Sequence, residues 1–419
     1  MNKQGWSYVP INDVAEVNTS SLKNSTPKDL EFDYIDIASI TRTGVIGNAK
    51  KLTFGEAPSR ARRIVHIGDT IISTVRPYLK AFAFINKDYD RQVCSTGFVV
   101  LTPKETKVDP KYLYQTILSD KFVEYTKSKM TGSNYPAINA GDVKEYRIYL
   151  PPLQEQKKIA DILSSVDEAI ERTEEIIEQT EQVKKGLMQQ LLTKGIGHTR
   201  FKRTEIGEIP CDWERVPLKN LVEENRTICY GVLKPGEFIE NGIPMLRVVD
   251  LGDGKVKESG FHKISKELDK EYSRSRLKGN EVLISLVGTI GRIAVTESYH
   301  QFMNVHRNIG IIPVNDKKIN KRYLAYMMQS EMVQKEIKVK TTGGSQPLFN
   351  IGDLKELTIL LPSLEEQSKI VDFISSVDKK LELEKKKQLQ LEFLKVGLMQ
   401  SLLTGKVRVK VNGNEEIQV

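Results

Sequence analysis

Five histidines, His66, His198, His262, His300 and His306, are the residues that would most readily do chemistry, and none stands in an H-x-x-x-H or H-E-x-x-H pair. That spacing sets two imidazoles on one helix face toward a metal, so a catalytic or structural metal site is not expected. The cysteines Cys94, Cys211 and Cys229 are odd in number and lack C-x-x-C spacing, which argues against a zinc site and a disulfide framework. No G-x-x-x-x-G-K-[ST] phosphate loop and no G-x-S-x-G nucleophile elbow occurs. The glycines of "GTIGRIA" (Gly288 to Ala294) match no dinucleotide fingerprint and read as a turn between strands. Glu105/Lys107 and Glu336/Lys338 mimic a fragment of a nuclease centre, but chance supplies such pairs in a chain with 28% charged residues. The inventory is that of a binder, with no catalytic, cofactor or metal residue of its own.

What the chain does carry is basic side chains at matching places. Its formal net charge is +8 with a pI near 9.0, which permits an anionic partner, nucleic acid being the commonest. "SRARR" contributes Arg60, Arg62 and Arg63, and "RPYLK" contributes Arg76 and Lys80. Further along, "SRSRLK" contributes Arg274, Arg276 and Lys278, "GTIGR" ends at Arg292, and Arg307 is a further basic candidate. Guanidinium groups suit bidentate contact with guanine edges or phosphates. The loops "TGSNYP" and "TGGSQP" add Asn134, Tyr135 and Gln346, where small neighbours let the backbone approach a partner. A solvated surface would carry the same arginines, and the two loops could equally anchor each domain to a helix.

The matching places come from a duplication. "LPPLQEQKKIADILSSVD" begins at Leu150 and "LPSLEEQSKIVDFISSVD" at Leu361, 211 residues later. The same offset joins "GLMQQLLT" at Gly186 to "GLMQSLLT" at Gly397, and Pro136 to Pro347. At the front, "WSYVP" at Trp6 resembles "WERVP" at Trp213 with an offset of 207. A solenoid repeat runs roughly 20–50 residues, so this is a duplicated domain.

Within each copy, "YIDIASI", "DTIISTV", "AFAFI" and "GFVVLT" read as short strands between Gly, Pro and Asp punctuation. "PKYLYQTILSDKFVEYTKSK" has helical spacing and predicts one helix. From Gln154 to Leu192 there is no Pro, and Ile159, Leu163, Val166, Ile170, Thr173, Ile177, Thr180, Leu187 and Leu191 recur at 3–4 spacing, with Lys184 at an odd place. That seam predicts a coiled-coil helix about 58 Å long. The second copy keeps Ile370, Ile374, Val377, Leu381, Leu391, Leu398 and Leu402, while Glu384 and Gln388 weaken its middle.

The expected class is α+β: two β-rich domains separated by two long helices in an antiparallel coiled coil, the repeats related by a pseudo-two-fold axis. The expected boundaries are a first domain over 1–150, a helix over 151–195, a linker and second domain over 196–360, a helix over 361–405 and a tail over 406–419. The copies agree most in the helices and differ most in the basic regions. Two readers of different DNA half-sites follow, with the half-sites one to two turns of ~34 Å apart. The N-terminus lacks the apolar run of a signal peptide, and no stretch approaches the ~18 apolar residues of a membrane span, so a reducing cytoplasm is expected.

These phrases, with the interdomain "FKRTEIGEIPCDWERVPL", resemble the specificity (S) subunits of type I restriction-modification systems along essentially the whole chain. The resemblance implies two target recognition domains, each followed by a conserved helix, and no catalytic residue. It implies double-stranded DNA as partner, two modification (M) subunits docked on the helices, and restriction (R) subunits joining through them. S-adenosylmethionine for adenine methylation, and ATP with Mg for DNA translocation and cleavage, would belong to those partners and not to this chain. Two alternatives stay open: the recognition subunit of a type IIB-like system, and a coiled-coil scaffold that reads no DNA. "STVRPYLK" departs from "SLVGTIGR", which fits two different half-sites.

Overall fold

The computed structural model describes residues 5–47, 49–86, 92–252, 254–342 and 347–410. The chain divides into two units: unit 1 combines the residues up to Glu175 with those from Lys385 onward, and unit 2 runs from Ile176 to Glu384. The division cuts both long helices, so each unit holds one β-rich domain and one half of each helix.

In unit 1 two four-stranded sheets enclose the core. One runs in the order Lys50–Thr53, Glu31–Ile35, Gln92–Ser95, Ala61–Val65, with a parallel pair at its centre. The other, antiparallel throughout, runs Ala15–Val17, Phe98–Pro103, Thr70–Ser73, Phe82–Phe84. Thr70–Ser73 is buried at every position, which is why "DTIIS" shows no alternation. Unit 2 has a five-stranded sheet centred on Glu281–Ser285 and a three-stranded sheet of His262–Ile264, Ile243–Leu246 and Asn304–Val305. The registers correspond: Phe98 pairs with Ser73 as Ile309 pairs with Ser285, and Ser7 with Leu150 as Glu214 with Leu361.

The helical stretch expected to be single is two helices, α1 (Pro110–Leu118) and α2 (Asp120–Lys129). Ser119 separates them in an extended conformation, φ −63° and ψ 146°, because its hydroxyl caps α2 at the Phe122 N–H. The long helix α3 spans Leu153–Lys194. In unit 2, α4 (Lys321–Gln329) and α5 (Glu331–Lys340) repeat the break at Ser330, and the second long helix α6 spans Leu364–Leu402. Caps recur at the repeat offset: Asp109 and Asn320 start α1 and α4, and Asn139 and Asn350 start short helices ahead of each long one. The segment expected as a linker contains a β-hairpin, Phe201–Thr204 with Gly207–Pro210.

The repeated phrase proves to be a socket. Gln156, 1% exposed, accepts the Asp109 N–H at 2.8 Å and donates to the Pro151 carbonyl at 2.8 Å. Gln367, fully buried, accepts the Asn320 N–H at 2.8 Å and donates to the Pro362 carbonyl at 2.9 Å. One residue earlier, Glu155 takes the Trp6 indole N–H at 3.0 Å and both arms of Arg408, while Glu366 takes the Trp213 indole at 3.0 Å and His198 at 2.8 Å. Buried polar groups must be paired, so each Glu-Gln couple fixes the start of a long helix to its domain.

In each unit the helix halves run antiparallel. As α3 advances from Glu155 to Asp167 to Glu174, its partners retreat from Arg408 to Lys395 to Gln388. Of the expected seam, Ile159, Leu163, Val166, Leu191, Ile370, Ile374, Leu381 and Leu402 are buried. Ile170, Ile177, Leu187, Val377, Leu391 and Leu398 are half-buried. Ile159 and Leu163 share a core with Tyr112 and Phe122, so the stripe faces the β-rich domain as well as the other helix.

Lys184, the odd seam residue, meets Asp378 at 2.6 Å, and Asp378 accepts the Tyr326 hydroxyl at 2.7 Å. Unit 1 repeats the junction: Asp167 holds Lys395 and accepts from the Gln115 amide at 2.7 Å. Each carboxylate joins two long helices and a domain helix. Lys184→Met is expected to cost about 1 kcal/mol or less, since both partners are partly solvated. Asp378→Ala, which orphans the 8% exposed Tyr326 hydroxyl, should cost about 1–3 kcal/mol. Denaturant midpoints in the reverse order would contradict this assignment. No helix among the described residues is long and apolar enough to cross a membrane.

Candidate nucleic-acid interface

Three segments that are far apart in sequence meet at one rim of unit 1. Thr96 N–H donates to the Arg60 carbonyl at 2.8 Å, and the Thr74 N–H and hydroxyl donate to the Gly97 carbonyl at 2.9 and 2.8 Å. Two residues on, the Arg76 N–H donates to the Pro136 carbonyl at 2.8 Å. The rim therefore joins "SRARR", "RPYLK" and "TGSNYP". Arg76 donates to the Asn134 carbonyl at 3.2 Å and lies 5.4 Å from the Tyr135 ring centre, with Tyr135 73% exposed. An exposed aromatic with a guanidinium at its face offers a stacking and hydrogen-bonding surface for a base.

Arg76 sits in the left-handed region, φ 48° and ψ 53°, where a side chain other than that of Gly is strained. Unit 2 repeats two of these contacts, the Leu286 N–H donating to the Asn308 carbonyl and Val287 bridging Leu348 as Val75 bridges Ala137, while the third differs: the Arg307 N–H donates to the Val232 carbonyl, outside "SRSRLK". There the positive-φ residue is Gly288, at 79°. One rim meets the turn with glycine and the other holds a strained arginine in it.

The remaining candidates divide by what their charged groups touch. Arg60, Arg274, Lys278, Arg292 and Arg307 are exposed, and Asn134 is exposed in the loop. Lys80 is turned inward: its ammonium donates to the Leu118 carbonyl at 3.2 Å and meets Asp120 at 3.0 Å, holding the α1–α2 junction. Arg276 is paired with Asp269, itself 5% exposed, because the short helix Lys266–Glu271 brings that carboxylate back to it. Arg62 lies over the Phe54 ring at 4.6 Å and donates to the Ala61 carbonyl. Arg63 is half-buried beside Cys94, and burial draws its pKa down while pushing the Cys94 thiol up to about 12. Gln346 lies outside the described residues. A cleft of about 1210 Å³ in unit 1 is lined by both signs of charge, Arg42 and Lys121 with Glu171 and Glu392, so it lacks the single sign that an anion site needs.

Several residues at the unit 2 rim escape sequence reasoning. Arg247, His262 and His306 come from three strands or strand ends, and only sheet pairing brings them together. Arg226, in a buried ion pair with Glu281, is likewise invisible until the sheet forms.

Residues 3–182 and 210–393 match the family described as Type I restriction modification DNA specificity domain. The MjaVIII type I restriction enzyme specificity subunit of Methanocaldococcus jannaschii is 33% identical over 324 residues, 76% of this chain and 75% of that protein. A chain solved for the structural basis of complex assembly and conformational transition of the type I R-M system is 25% identical, with a TM-score of 0.58 over 96% of this chain and 98% of its own. The type I S subunit from M. genitalium, 16% identical over 96% of this chain and 97% of its own with a TM-score of 0.59, shows the fold alone. The chain belongs to the specificity subunits of type I restriction-modification systems, a non-catalytic family that supplies DNA sequence specificity.

Proposed function

We propose that the two rims read the two halves of a split, asymmetric DNA target. The paired helices set the gap and dock two methyltransferase (M) subunits, through which restriction (R) subunits join. S-adenosylmethionine, ATP and Mg belong to those partners, and the complex works in the cytoplasm. The proposed boundaries keep the first recognition domain at 1–150, the linker and second recognition domain at 196–360, the helices at 151–195 and 361–405, and the tail at 406–419. The observation that carries this reading is one strand-turn-loop contact built twice with different side chains. Arg76, Asn134 and Tyr135 stand in the first, and Arg292 and Arg307 with Gly288 in the second. Arg60 borders the first rim, and Arg274 and Lys278 are exposed basic residues of the second domain.

The test is half-site-specific loss. With the cognate M subunit present, Arg76→Ala should relax one half of the methylated motif and Arg292→Ala the other. Each lost bidentate base contact removes about 1–3 kcal/mol of discrimination. Relaxation of the same half by both variants would contradict the assignment.

A further inference from the structure

The three-stranded sheet of unit 2 gathers four basic side chains at one place. Met245 pairs with His262, the His306 N–H donates to the Leu246 carbonyl at 2.8 Å, and Arg247 reaches the Gly260 carbonyl at 3.3 Å. Arg307 follows His306 directly and is exposed. Unit 1 has no histidine at the matching positions. By register, Ile35 beside Cys94 corresponds to Leu246 beside Val305, and Tyr34 beside Lys50 to Met245 beside His262. The counterparts of Arg247, His262, His306 and Arg307 are then Asp36, Lys50, Ser95 and Thr96. Lys50 and Asp36 pair with each other at 3.9 Å. At these four positions one repeat has an ion pair and two hydroxyls, its arginines Arg60 and Arg63 coming from the neighbouring segment, and the other has four basic groups with one carboxylate.

That carboxylate, Asp250, is 2% exposed and held by the Arg247 N–H groups at 2.8 and 3.4 Å. The charged groups that act on His306 are Arg307, His262 and Arg247, all of one sign. Burial first, and these neighbours second, draw the His306 pKa below its ordinary value. Its Nδ1 accepts the Asn308 N–H at a long 3.3 Å, a bond easily yielded on protonation. The His262 Nε2 is buried without a hydrogen-bond partner among the described residues. A polyanion is the partner that relieves such a cluster, and phosphates spaced along a duplex supply it.

We propose that Arg247, His262, His306 and Arg307 form a DNA-phosphate clamp unique to the second recognition domain, through which DNA binding takes up a proton. The inference rests on the DNA-reading function proposed above. Its sign is fixed: a phosphate beside His306 favours the charged imidazolium, so affinity rises as pH falls across about 8 to 6. A one-unit rise in the His306 pKa on binding corresponds to about tenfold in affinity. Ser95 and Thr96 give the first domain no such response.

Calorimetric titration of the full chain with a mixed-sequence duplex tests this, run in two buffers of different ionisation heat at several salt concentrations. Wild type should take up about half a proton near pH 6.5, His306→Gln should bind with almost none, and Arg307→Gln should lower the salt slope by about one. Unchanged proton uptake in His306→Gln would overturn the clamp while leaving DNA binding intact. Uptake driven by inorganic phosphate but not by duplex would overturn the DNA assignment in favour of a free-anion site. Failure of wild type to bind duplex at low salt would overturn the DNA-reading function, and the clamp with it.

Discussion

Arg76→Gly should leave the chain about as stable as the parent or slightly more so, while weakening recognition of one half-site by about 5- to 150-fold. The stability half of this expectation comes from the backbone. Arg76 has φ 48°, and a left-handed residue other than Gly costs of order 1–3 kcal/mol. Gly288 fills the corresponding turn of the second repeat without that strain. Removing the side chain takes away a hydrogen bond to the Asn134 carbonyl and an exposed stack on Tyr135, both open to water and both weak in net terms. The functional half comes from the side chain, since a bidentate base contact contributes about 1–3 kcal/mol. Arg76→Ala should lose the same recognition and keep the strain. Urea unfolding and methylation of matched and half-mismatched duplexes measure the two halves separately. A stable Arg76→Gly that still discriminates at wild-type level would remove Arg76 from the reading surface.

Glu281→Ala should destabilise unit 2 by about 3–5 kcal/mol, the largest loss expected of any single substitution considered. The Glu281 carboxylate is fully buried and takes four donors: Arg226 at 2.7 Å, the Lys278 and Gly279 N–H groups at 2.7 and 2.9 Å, and the Thr296 hydroxyl at 2.7 Å. Truncation leaves the Arg226 guanidinium, whose side chain is 11% exposed, with the Glu223 contact at 3.3 Å as its remaining ion pair among the described residues. Replacing both partners, Arg226→Met with Glu281→Met, should recover a large part of the loss, because the penalty lies in the unpaired charge. The chain has two tryptophans, Trp6 and Trp213, one in each unit, so Trp213 fluorescence in a Trp6→Phe background reports unit 2. A midpoint within experimental error of the parent would show that the pair holds nothing together. By strand register unit 1 has Asp69 at the matching place, likewise buried, where it accepts the His66 N–H at 2.8 Å.

The architecture was legible because its signals are local and repeated. A 211-residue offset, a seam at 3–4 spacing and strands between Gly and Pro are readable without tertiary knowledge. What escaped was set by long-range pairing. The break at Ser119 depends on one hydroxyl choosing to cap the following helix. Lys184 looks like a flaw in the seam until Asp378 and Tyr326 are placed beside it. Arg276 resembles Arg292 in sequence, yet Asp269 engages the first and leaves the second exposed. The strain at Arg76 and the gathering of His262 and His306 follow from turn geometry and strand register, which no spacing rule encodes.

The most direct test is methylome sequencing of a host carrying this chain with its cognate M subunit, compared with the M subunit alone. The expected result is a split, asymmetric adenine-methylated motif that appears only when the chain is present. An unchanged methylome, with the M subunit shown to be folded and active, would contradict DNA reading by this chain.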